Sequence, residues 1–193
     1  MVWIKLSSNT LTTASDTLTG DSFTTSKFIQ YLGHVIPKTS NAEMFIRPNN
    51  NSNSVYANRI SVNGATDVTT NVTQSEINSV GDDVPIFQII NFCNLSGEEK
   101  LGIHFEVSAS ATGSGTAPSR REQVDKFVPS PDADITSFTG VNTRAGADLD
   151  IGSNLSALGS DGVEELNVQD GAIYYETDTN KEFLLSNNTW TEL

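Results

Sequence analysis

Short runs in which large apolar residues are extended or alternate with polar ones recur along the chain, separated by clusters of Ser, Thr, Asn, Asp, Gly and Pro. Alternation with period two is the signature of a strand, because successive side chains point to opposite faces of a pleated backbone. Val2–Leu6 alternates around Trp3 and Ile4, and Asp16–Thr19 is a short candidate inside a polar passage that runs to Phe23. Residues 27–36 carry large apolar groups on both faces and predict a strand covered on two sides, closed by Pro37. Residues 43–47 predict another, stopped by Pro48; Asn49–Ser54 has no apolar residue and reads as a solvated turn before a strand at Val55–Val62. Residues 63–83 are equally polar, with Val72, Ile77 and Val80 spaced for one helical turn.

The strongest pair follows. Residues 84–93 form a long apolar run. In residues 101–107, Leu101, Ile103, Phe105 and Val107 occupy one face and Gly102, His104 and Glu106 the other. The short polar segment Asn94–Lys100 makes the two an antiparallel hairpin. Strand candidates at Arg121–Val128, Ile135–Val141 and Leu149–Leu158 complete a set of short strands joined by polar turns. That pattern predicts an all-β, antiparallel sandwich, and the strand count favours a jelly-roll-like one. An immunoglobulin-type sandwich fits less well, since its paired cysteines and central Trp are missing.

After Gly159-Ser160-Asp161-Gly162 the character changes. Residues 166–193 read strand, turn, strand, turn, strand, with Tyr174, Tyr175, Phe183 and Trp190 as cross-strand aromatics. The organisation expected is therefore a sandwich over residues 1–160 and a small β meander over 161–193. Three strands of this length lack a closed core and need a second surface, from the sandwich or from another copy.

Composition sharpens this picture. Ser, Thr and Asn number 22, 21 and 18, so 61 of 193 residues are small, uncharged and polar. Such residues favour exposed strand faces and turns over helices. With 11 Lys+Arg against 24 Asp+Glu the net charge is −13, which argues against nucleic-acid and anionic-membrane partners. Met1–Leu6 is too short an apolar stretch for a signal peptide, and no run is long enough to span a bilayer, so a soluble chain is expected. The single Cys93 lies in an apolar run and is expected to be a buried, inert thiol. Sequons at Asn50, Asn71, Asn94, Asn154 and Asn187 follow from the abundance of Asn, Ser and Thr.

Catalytic chemistry is not legible in this sequence. The two histidines, His34 and His104, sit within strand candidates, and no nucleophile motif, phosphate loop or metal motif occurs. The acidic pairs Asp82-Asp83, Glu98-Glu99, Asp132/Asp134, Asp148/Asp150 and Glu164-Glu165 mostly fall in turns and are read as solvated, not as the carboxylate pair of a glycan hydrolase. Asp148, Asp150 and Asp161 lack the spacing of a calcium loop. No cofactor and no metal are expected. Arg120-Arg121 beside Glu122 is a small charge cluster suited to a surface or subunit contact. Tyr56, Tyr174, Tyr175 and Trp190 are the aromatics that would stack on sugars if exposed.

The closing segment Asp170-Gly171-Ala172-Ile173-Tyr174-Tyr175-Glu176, Thr177-Asp178-Thr179-Asn180-Lys181, Glu182-Phe183-Leu184-Leu185, Ser186-Asn187-Asn188-Thr189-Trp190 resembles a hairpin element that recurs in structural and fibre proteins of tailed bacteriophages, marine ones in particular. The preceding residues, from Trp3-Ile4-Lys5-Leu6 to Leu158-Gly159-Ser160-Asp161, are similar in general character to phage virion jelly rolls. The resemblance implies a non-enzymatic virion protein, such as a capsid decoration, head fibre or tail fibre subunit, made in the host cytoplasm and assembled as a homo-oligomer, with a trimer favoured, among other virion proteins. Its interaction surface would draw on Tyr174, Tyr175, Phe183, Trp190, Arg120 and Arg121. The alternative from another class is a carbohydrate-recognition module binding host surface glycans.

Overall fold

The computed structural model describes residues 2–38, 43–75, 84–109, 113–130, 133–144, 149–161, 171–187 and 189–193. These residues form fourteen strands, all paired antiparallel, and no helix. The chain divides into two units, Trp3–Gly162 and Val163–Leu193 with Met1–Val2.

The larger unit contains β1 (Ile4–Thr10), β2 (Thr17–Thr19), β3 (Phe28–Val35), β4 (Phe45–Pro48), β5 (Tyr56–Val62), β6 (Val68–Val72), β7 (Ile86–Cys93), β8 (Lys100–Ser108), β9 (Ser119–Phe127), β10 (Phe138–Val141) and β11 (Asn154–Ser160). Eight of them make one sheet in the order β1-β11-β3-β7-β8-β9-β5-β6, and the other three make a second, β2-β10-β4. The backbone passes repeatedly from one sheet to the other, which gives an antiparallel β-sandwich with very unequal layers. Pro48 ends β4, an edge strand of the small sheet, where a missing backbone donor is tolerated.

The core lies where the small sheet meets β3, β7 and β11. Phe138 of β10 sits 5.5 Å from the Tyr31 ring, 6.0 Å from Phe92 and 6.1 Å from Phe23. Ile29, Val35, Ile90, Leu155 and Ala157 surround these rings. The Tyr31 ring lies over Gly33, where an added Cβ would come within 2.4 Å of the phenol oxygen. Phe92 covers Gly102 on the neighbouring strand in the same way, at 2.8 Å. Asn94, one of the sequon residues, is buried: its amide donates to Thr25 Oγ1, Ser26 O and Ile135 O, and its Oδ1 accepts from Ile135 N.

Several elements differ from the sequence reading. Val72 is not in a helical turn; it ends β6 and pairs with Tyr56. Val68, Thr69, Thr70 and Val72 are β-branched and suit an extended backbone, but β6 is a sheet edge with one neighbour and shows no clean alternation. Ile77 and Val80 lie outside the described residues. β1 runs on to Thr10 through polar residues for the same reason, since it forms the opposite edge.

The smaller unit is a meander of β12 (Ile173–Glu176), β13 (Lys181–Ser186) and β14 (Thr189–Glu192). Its turns use left-handed Asn180 (φ 57°) and Asn187 (φ 49°), a conformation that Asn tolerates better than most residues. Tyr174, Phe183, Leu185 and Trp190 share one face, with Tyr174 edge-on to Trp190 at 6.1 Å and Lys181 paired with Glu192 at 2.9 Å.

Candidate functional site: an apolar face on the large sheet

The register of the large sheet decides what each face presents. β8 alternates without a break, but Lys100, Gly102, His104, Glu106 and Ser108 are buried while Leu101, Ile103, Phe105 and Val107 point outward. The apolar row is therefore the exposed one, with Leu101, Ile103 and Phe105 at 57, 52 and 50% of full exposure.

Cross-strand partners extend this row into a surface, since directly paired residues lie on the same face. Leu101 stands between Cys93 and Lys126, Ile103 between Asn91 and Val124, Phe105 between Ile89 and Glu122, and Val107 between Phe87 and Arg120. On the far side of β9, Ala57, Arg59 and Ser61 of β5 continue the same levels. The result is an apolar band along β7 and β8, bordered on the β9–β5 side by Lys126, Glu122, Arg120 and Arg59. An open groove of about 580 Å³ runs between Leu101 and Ile103, Val124 and Lys126, and Thr69 and Thr70 of β6. A smaller one of about 280 Å³ continues it past Phe105 and Glu122. The bordering charges pair locally at the surface: Lys126 with Glu99 at 2.6 Å, Arg120 with Glu122 at 3.5 Å and Arg59 with Asp67 at 3.7 Å.

The opposite side of β8 and β9 is buried and, apart from Phe127, largely polar. Asp125 accepts from Ser75 Oγ at 2.8 Å and from the Gln123 amide, and its other oxygen lies 3.7 Å from His104 Nδ1. Gln88 donates to Glu106 at 3.4 Å, and Arg121 Nε lies 3.9 Å from the same carboxyl. Burial pushes the Glu106 carboxyl above the ordinary range, against the opposing pull of Arg121, His104 and the Gln88 amide. Lys100 has no exposed surface; its ammonium donates to Leu95 O and to Asp134 Oδ1 at 3.2 Å. A histidine gathered with two carboxylates invites a catalytic or metal reading. The side chains of His104 and Asp125 are only 3 and 2% exposed, so a substrate has no access to them. Among the described residues no group of three or more His, Cys, Asp or Glu is placed to hold a metal.

The residues singled out in the sequence separate accordingly. Arg120 and Arg121 do not form a cluster: as neighbours on a strand they point to opposite faces, Arg120 outward beside Glu122 and Arg121 inward toward Glu106. Tyr56 is not available to a sugar. It is buried against Phe127 with ring centroids 4.9 Å apart, its hydroxyl donates to Asn51 O at 2.8 Å, and burial raises its pKa well above the usual phenol value. Cys93 is half-buried and faces outward on the apolar band, which corrects the expectation of a buried thiol. His104 lies on the inner face of β8, and half-buried His34 lies on the outer face beside Phe87. Tyr174, Tyr175 and Trp190 are exposed on the meander and Phe183 is half-buried.

Of the acidic candidates, Glu99 pairs with Lys126, Asp134 with Lys100, Asp150 accepts from Ile151 N and Asp161 from Lys27 N. Asp82, Asp83, Asp132, Asp148, Glu164 and Glu165 lie outside the described residues. Among the described residues no helix is long and apolar enough to cross a membrane. Comparison of the chain with protein families, curated proteins and solved structures finds no match.

Proposed function

We propose that this chain is a non-enzymatic structural subunit of a virus particle that works by binding copies of itself and neighbouring virion proteins. The observation that carries the reading is the reversed strand β8, which keeps three large apolar side chains half-exposed or more while a lysine, a histidine and a glutamate lie inside. A continuous apolar band with a charged border has the anatomy of a protein interface: a dry centre and a polar rim that includes arginine. Covering Phe87, Leu101, Ile103, Phe105, Val107 and Val124, all between 39 and 57% exposed, is worth on the order of 5 kcal/mol before the costs of association. The placement in a virion rests on the resemblance of the closing hairpin to phage structural and fibre proteins.

Sedimentation velocity of the full chain tests this. The expected result is an oligomer that Ile103→Asp dissociates without unfolding it. A chain that stays monomeric and joins no other particle component would remove the reading. The glycan-binding alternative rests on Tyr174, Tyr175 and Trp190 alone now that Tyr56 is buried, and two of those rings pack on each other. Absence of binding across a broad glycan array would close it.

A further inference from the structure

The charges bordering the apolar band define how two copies of it can meet. We propose that the large sheet pairs face to face with that of a second copy. The twofold axis lies between the sheets, perpendicular to the strands, at the level of Ile103 and Val124. This deepens the assembly reading above and rests on it.

Charge disfavours the alternative axes along the strands. Sheets packed face to face sit about 10 Å apart, so side chains at matching positions meet tip to tip. Going along β9, the outward residues are Arg120, Glu122, Val124 and Lys126. A twofold axis parallel to the strands and centred on β9 would lay each of these against itself, with like charges in contact. Centring the same axis on β8 would lay Lys126 on the partner's Cys93 and Glu122 on the partner's Ile89, leaving both charges against less polar side chains. The transverse axis at Val124 reverses strand direction instead. Lys126 then lies over the partner's Glu122, and Glu122 over the partner's Lys126. The same operation sets Leu101 on the partner's Phe105 and Ile103 on its own copy, so apolar meets apolar over the centre of β8, from Leu101 to Phe105. Arg59 meets its own copy at the rim, where Asp67 is 3.7 Å away to offset it. An isologous contact of this kind repeats every pairing twice, which doubles the effect of a complementary charge. A threefold particle, as the resemblance implies, would need a different surface for its threefold contact.

A charge-reversal cycle measured by sedimentation equilibrium on the full chain tests the pairing. Glu122→Lys and Lys126→Glu should each weaken self-association by about tenfold, because each brings two like pairs together, and the double variant should return to within about threefold of the wild type. Glu122→Lys loses the local pair with Arg120, Lys126→Glu loses the one with Glu99, and the double loses both. Recovery therefore reports only the contact between copies, and far-UV circular dichroism of each variant confirms folding. Singles that associate like the wild type, or a double no better than the singles, overturn the pairing. If Ile103→Asp still dissociates the chain in that case, the assembly reading stands. A wild-type chain that binds another virion protein through this face but not itself also overturns the pairing alone. A monomer at about 100 μM that binds nothing overturns both.

Discussion

β3 and β8 lie two places apart in one sheet, alternate equally cleanly, and do so in opposite senses. β3 turns Ile29, Tyr31 and Val35 toward the small sheet, as burial of apolar surface requires. β8 turns Lys100, His104 and Glu106 the same way and leaves its apolar residues outside. The difference arises because the small sheet has only three strands and supplies the aromatic core chiefly to β3, β7 and β11. Beyond that reach the inner face of β8 and of β9 as far as Asp125 is held together by hydrogen bonds and ion pairs, and apolar packing returns at Phe127, stacked on Tyr56. Alternation thus fixes which residues share a face, while pairing with the neighbouring strand fixes which face is buried.

The contrast can be broken at its strong end first. Phe138→Ala removes the ring shared by Tyr31, Phe92 and Phe23 and should cost about 3 to 5 kcal/mol by urea denaturation; a loss under about 1 kcal/mol would show that the aromatic core does not anchor β3. The neighbours Lys100 and Leu101 give the sharpest contrast of the two senses. Lys100→Ala leaves Leu95 O with Glu98 N as its remaining donor and Asp134 Oδ1 without its ammonium partner and should cost about 2 to 3 kcal/mol, whereas Leu101→Ala should change the stability of the isolated subunit by less than about 0.5 kcal/mol. Equal losses at the two positions would contradict the burial reversal.

Tyr31→Phe removes a buried hydroxyl that finds no hydrogen-bond partner among the described residues and should stabilise the fold by up to about 1 kcal/mol, read as a higher urea midpoint. The smallest effect is one of pH. Because the folded state holds Glu106 above its ordinary pKa, the carboxyl favours folding most when protonated, and that contribution is lost as pH rises through the folded value. Comparing thermal midpoints between about pH 4 and pH 7, Glu106→Gln should gain on the wild type as pH increases. A difference that stays constant or shrinks would mean that Arg121 and Gln88 fully offset the burial.

Much of the scaffold is legible in the sequence because its central strands carry strong patterns. β3, β5, β7 and β8 coincide with the expected segments to within a few residues, since each contains large apolar side chains at regular spacing. The edge strands β1 and β6 are poorly legible, because backbone pairing to a single neighbour makes little demand on side chains such as Ser7, Asn9 or Thr70. The apolar band was hidden for a different reason. Leu101, Ile103, Phe105 and Val107 look like core residues in isolation, and only the match of β8 to β7 and β9, with Phe92 filling the space above Gly102, turns them outward. The separation of Arg120 from Arg121 was available from strand periodicity alone once the strand was placed.

The outward position of Cys93 has a practical consequence. The chain carries its own reporter on the band, in a row with Leu101 and Lys126, and no other cysteine competes with it. Maleimide labelling of the native protein should slow as concentration rises and copies shield the thiol, so the occupancy of this surface can be followed in the wild-type sequence, with no substitution introduced.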